Sequence, residues 1–144
     1  MKKILLVGLI GFALLGCGKK KVTEEMLIGN WECSSIEQRA KWEKGMFQDY
    51  STSIDHGKSV VTYLKENDDF FVKWPGSNEM VKEDFKKLNR SYNSTLNGMR
   101  LSGFNRFEYI SDNEFKMISE LAITQDKKEN NEKSKISMHC TRIQ

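Results

Sequence analysis

Proline is almost missing from this chain, with one residue, Pro75, in 144. Histidine occurs twice, at His56 and His139, and cysteine three times, at Cys17, Cys33 and Cys140. Metal centres need clustered nitrogen, sulfur or carboxylate ligands. His56 reads as part of a turn, and His139 falls on the strand face opposite Cys140, so no metal is expected. The nucleophile elbow G-x-S-x-G is absent. Gly57-Lys58-Ser59 ends as a phosphate loop does, but position 52, where such a loop needs glycine, holds Thr52. The carboxylate pairs Glu24-Glu25, Asp68-Asp69 and Glu83-Asp84 are neighbours in sequence and so do not converge on one bond. A Cys33 and His139 dyad would need free thiols and matching parity. These absences argue against an enzyme and against any cofactor. A strong charge of either sign is missing too: 23 basic residues stand against 20 acidic ones, which gives no basic face for nucleic acid.

Long apolar runs are equally scarce. One begins the chain, from Ile4 to Leu15, after Lys2 and Lys3. It is shorter than the ~20 residues that a helix needs to cross a bilayer core, and it has the charged and apolar regions of an export signal. Its end, Leu14-Leu15-Gly16-Cys17, resembles the lipobox of bacterial lipoproteins. That resemblance implies cleavage after residue 16, lipidation of Cys17 and a membrane partner through the acyl chains. Gly18, not Asp, follows the cysteine, which in that family implies the outer membrane of a Gram-negative envelope. Three segments are therefore expected: 1–16 as signal peptide, 17–26 as lipidated tether with a helical turn, and 27–144 as one domain. Loss of the first 16 residues removes Lys2 and Lys3, leaving the mature chain nearly neutral. Cys33 and Cys140 then remain as an even pair in an oxidising compartment, where a disulfide is the expected state.

Beyond the tether the apolar periods are mostly two. Thr23 is a candidate N-cap for one helical turn over TEEML. Leu27, Gly29, Trp31 and Cys33 share one face of a first strand, and the charged run 37–44 reads as a loop. Met46, Tyr50, Thr52 and Ile54 mark a second strand, Asp55-His56-Gly57 a turn, and 59–64 a third strand. FFVKW, 70–74, stops at Pro75-Gly76. Val81, Phe85 and Leu88 at i, i+4 and i+7 predict a short amphipathic helix within 77–89. Asn97-Gly98 is a hairpin signal. Strands follow at 106–110, 114–124 and 134–143, with 125–133 as an exposed tip. The fold class expected is mostly β: a small antiparallel up-and-down barrel of about eight strands with one short helix.

Residue numbers opposed in an antiparallel ladder keep a constant sum, so a register that joins Cys33 to Cys140 also sets Trp31 against Arg142 on the same face. A guanidinium over an indole is a favourable contact of about 0.5–2 kcal/mol, and pairing the first strand with the last closes a barrel. A helical turn, Gly29-x-Trp31 on the first strand and Arg142 on the last together look like the calycin superfamily, the lipocalins and their smaller relatives. That resemblance implies that Gly29, Trp31 and Arg142 form a structural latch at the closed end. The domain is short for a full lipocalin, and its expected helix lies mid-chain.

The function expected is non-catalytic binding by a lipid-anchored envelope lipoprotein. The bound partner is either a small apolar ligand inside the barrel or an envelope protein across its open end, the latter in the manner of an inhibitor, exclusion or assembly factor. Candidate binding residues are Phe70 and Trp74, which share a strand face, Phe71 as an exposed aromatic, and Trp42, set in a charged run. A cavity of at least ~300 Å³ with apolar walls would mark the first alternative; a packed interior with an exposed aromatic would mark the second.

Overall fold

The structure is a computed structural model that describes residues 18–144; Cys17 and the signal sequence lie outside the described residues. Thr23 caps a single turn, α1 (Glu24–Leu27), its hydroxyl accepting the amide of Met26. Eight antiparallel strands follow: β1 (Gly29–Glu43), β2 (Met46–Glu66), β3 (Asp69–Lys73), β4 (Val81–Glu83), β5 (Ser91–Leu96), β6 (Met99–Ser111), β7 (Glu114–Thr124) and β8 (Glu132–Arg142). They form one curled sheet in the order β4-β3-β2-β1-β8-β7-β6-β5. This is the cyclic order of an up-and-down barrel, with the first and last strands paired and no ladder between β4 and β5. Lys44-Gly45, Asn67-Asp68 and Asn97-Gly98 all have positive φ, the conformation by which a two-residue turn matches the twist of a hairpin.

The closing seam has the register that the cysteines require. Cys33 lies opposite Cys140 and Trp31 opposite Arg142, and the disulfide joins the first strand to the last with Cα atoms 4.1 Å apart. The Arg142 guanidinium sits 4.3 Å from the Trp31 ring centre. It donates to the carbonyls of Ile28 at 2.8 Å and Met26 at 2.6 Å, while the indole NH donates to Leu27 at 2.7 Å. One side chain thereby satisfies the carbonyls at the end of α1 and fixes the turn beneath the sheet. Gly29, at φ +127°, makes room for it: a Cβ there would lie 3.0 Å from Arg142 Nη1.

Between β3 and β6 the wall is completed by side chains instead of hydrogen bonds. Phe85 packs at 6.1 Å from Phe70 on β3 and 5.7 Å from Phe107 on β6. Phe107 meets Phe115, Phe115 meets Tyr63, and Tyr63 stacks on Phe70, so five aromatic rings close a circuit around the interior. Trp31 joins it against Phe115. Burying each such side chain contributes on the order of 1.5–3 kcal/mol, which explains how a sheet with an open seam retains a core at this end. Val22 is also buried there, so the fold draws in part of the segment expected to be tether.

Three expectations about elements need correction. Of the run 37–44, residues 37–43 are strand, not loop, because the charges alternate across β1 while β8 pairs it as far as Ala40, and only Lys44 belongs to the turn. The turn expected at Asp55-His56-Gly57 is a bulge inside the continuous β2. Gly57 adopts φ +71° and its amide is held by Asp55 Oδ1 at 2.8 Å, so the turn-forming residues add one residue to the strand without reversing it. The helix expected within 77–89 is instead β4 and a 3-10 turn, Lys87–Asn89. Phe85 and Leu88 pack inward as the pattern required, but Val81 is exposed on β4. β4 pairs with β3, so the residues before Phe85 are held extended by that ladder, and the chain then crosses the open seam to β5.

Candidate functional site

The strands outrun their core. β1 is fully buried at Trp31 and Cys33, then turns polar, and its alternation places Glu37 and Arg39 on the face that carries the disulfide. Arg39 pairs with Thr52 on β2 and Ser134 on β8. An open groove of about 570 Å³ lies at this end of the sheet, its walls including Arg39, Trp42, Thr52, Glu129, Glu132 and Ser134.

Glu37 anchors the electrostatics of this region. Its carboxylate accepts from Arg39 Nε and lies 3.0 Å from His56 Nε2, and its side chain is only 13% exposed. The hydrogen bond from Arg39, followed by that from His56, holds its pKa below the ordinary carboxylate value, so Glu37 is an ionised acceptor at neutral pH. Ile54 is the ladder partner of Glu37, and His56, two residues along β2, reaches it from the diagonal position. Glu43, Glu129 and Glu132 add negative charge along the groove, and Lys41 adds positive charge. The mixed signs suit a partner that itself carries both charges and hydrogen-bonding groups better than a polyanion or an apolar molecule.

On the opposite face a second cluster braces the long hairpin. Tyr50, the ladder partner of Ala40, donates its hydroxyl to Glu120 on β7 at 2.7 Å. Lys135 and Lys133 lie over its ring at 4.8 and 5.3 Å, and Lys133 also pairs with Glu120 at 3.2 Å. Partial burial, then the Glu120 hydrogen bond, pushes the Tyr50 phenol pKa upward. This network ties β2 to β7 and β8 across β1.

The expected site residues separate into different places. Gly29, Trp31 and Arg142 are the latch, and Cys33 and Cys140 the disulfide. Phe70 is 3% exposed in the core, and Trp74 packs against that core. Phe71 lies opposite the exposed Leu64, one strand position from Phe70 and so on the other face. Trp42 alone lines the groove, stacked edge-to-face on Phe47 at 4.8 Å. His139 meets Glu114, far in sequence from His56 and its Glu37, and among the described residues no group of three or more His, Cys, Asp and Glu is arranged to hold a metal ion. Sequence reasoning missed Glu37, Arg39, Thr52 and Ser134. The available signal was the parity of Glu37 and Arg39 with Cys33, together with Lys44-Gly45 as a two-residue turn, which makes 37–43 a strand. Comparison with protein-family models, curated proteins and solved structures gives no match.

Proposed function

We propose that this protein is a lipid-anchored envelope lipoprotein whose curled sheet binds a protein partner in the polar groove beside Trp42. The carrying observation is the division of the sheet. Its interior at the Trp31 end is filled by aromatic side chains, whereas the space at the other end is open and lined by charges and hydroxyls. A small apolar ligand would need the reverse. Glu37, kept ionised by Arg39 and His56, is suited to accept hydrogen bonds and less suited to donate a proton, which favours binding over acid catalysis.

The tether and the groove lie at opposite ends of β1. Val22 and α1 pack at the Trp31 end, and Trp42 is eleven residues further along β1, a rise of about 35 Å at ~3.3 Å per residue. A chain anchored through Cys17 would thus present its groove away from the anchoring membrane. Trp42 against Phe47 supplies the aromatic anchor that protein interfaces favour, and the surrounding charges supply orientation.

Site-specific photo-crosslinking in intact cells tests this. A photoreactive residue at Thr52 or Ser134 should capture a discrete protein, and one at Phe71 on the opposite face should not; equal labelling from both faces would remove the groove from the account. Cys17→Ala should release the protein from the membrane fraction or stop its maturation. Unchanged fractionation would end the lipoprotein reading while leaving the groove to be judged separately.

A further inference from the structure

The open seam leaves the sheet with free edges, and they are not equally protected. β2 pairs with β3 only from Thr62 to Glu66, so most of its length is unpaired on that side. That length carries three bulges, each adding one residue to β2, and the charges of Asp49, Asp55 and Lys58. β4 has three residues, two of them Lys82 and Glu83. Bulges, charges and shortness are the devices by which sheets keep edges from pairing with other chains. β5 has none of them. Ser91-Tyr92-Asn93-Ser94-Thr95-Leu96 has no charge, proline or glycine, and its six residues pair with β6 in unbroken register. Its other side has no partner strand among the described residues.

The geometry points to β5 as a strand-pairing surface for a second copy of this chain, the two β5 strands joining antiparallel across a two-fold axis at Ser94. Two-fold symmetry about an axis normal to the sheet requires opposed residues of equal parity. Centred on Ser94, the register sets Leu96 of each copy against Tyr92 of the other and Asn93 against Thr95. Leu96 is 56% exposed in the single chain, and this register sets it beside the Tyr92 position of the other copy, whose ring lies inward over Gly103 with its hydroxyl on the Glu120 carbonyl. Because β5 is neutral, self-pairing opposes no like charges. Six residues make a small interface, short of the roughly 1,200 Å² of stable complexes, so the dimer forms reversibly with concentration.

The test uses the full chain in detergent, with sedimentation velocity across a concentration series. Asn93 and Thr95 are exposed and tolerate replacement. Wild type should shift from monomer to dimer. N93K/T95K opposes lysine to lysine twice and should weaken dimerisation at least about tenfold. N93K/T95D opposes lysine to aspartate twice in the same register and should restore it. An intact Cys33–Cys140 disulfide and an unchanged circular dichroism spectrum identify folded variants. A monomer at every concentration, or equal behaviour of the two double variants, overturns the proposal. Neither result depends on the groove.

Discussion

Replacing both Cys33 and Cys140 by alanine opens a loop whose ends are 107 residues apart in sequence. In the chain-entropy treatment that loop is worth about 4.8 kcal/mol at 25 °C. A domain of this size has a total stability of roughly 5–15 kcal/mol, so the loss ranges from about a third of it to nearly all. The native state should nevertheless keep its seam, because Arg142 bridges Met26 and Ile28 independently of the sulfurs. The expected outcome is a folded variant that unfolds much more readily. Equilibrium urea unfolding followed by tryptophan fluorescence should show a midpoint lower by roughly 2 M if m is about 2 kcal/mol/M. Wild type measured under reducing conditions should show a similar fall, which separates the covalent constraint from the change of side chain. A loss under ~2 kcal/mol in both experiments would refute the reasoning, since it would mean that the unfolded chain gains little freedom from opening the loop.

Arg142→Lys should cost about as much as Arg142→Ala, around 2–3 kcal/mol, because one ammonium cannot reproduce the fork that reaches two carbonyls and covers Trp31; urea unfolding in which lysine restores most of the stability would count against the latch. Tyr63 is buried with no hydrogen-bond partner for its hydroxyl, and burial alone raises its pKa. Tyr63→Phe should therefore leave thermal stability unchanged or raise it by up to ~1–2 kcal/mol, and a clear drop in the midpoint would reveal a bond to that hydroxyl. Glu37 has a folded pKa below its ordinary 4.5, so its ion pairs stabilise the fold above that pH and lose their effect as pH falls through the lowered value. The stability difference between wild type and Glu37→Gln should shrink on acidification below about pH 4.5; a difference constant with pH would show that its ionisation is not linked to folding.

Much of this architecture was legible in the sequence because it rests on short-range physics. Alternation with period two identified strands around Trp31 and Phe115, β-branched and aromatic content identified the one around Val61, and Asn97-Gly98 announced its hairpin through its backbone preference. The pairing of β1 with β8 was legible for a further reason: one long-range link, Cys33 to Cys140, fixes the register of every other pair in that ladder, so Trp31 under Arg142 follows from arithmetic.

Where local preferences conflicted with pairing, only the tertiary structure decided. Asp55-His56-Gly57 has turn chemistry in either setting, and the continuous partner β1 converts it into a bulge. Phe85 and Leu88 fit a helical stripe, yet the residues before them are drawn into β4, and Phe85 bridges a gap that exists only because β4 and β5 do not pair. The groove was illegible for the same reason. Glu37 and Arg39 are two residues apart, but His56, Thr52 and Ser134 reach them through registers set by three bulges and by the distant disulfide. The sequence by itself determined which residues alternate, where the chain turns and which two strands meet. The curl of the sheet decided which polar residues would face one another, because that depends on the sum of many strand-to-strand registers and on no single stretch of chain.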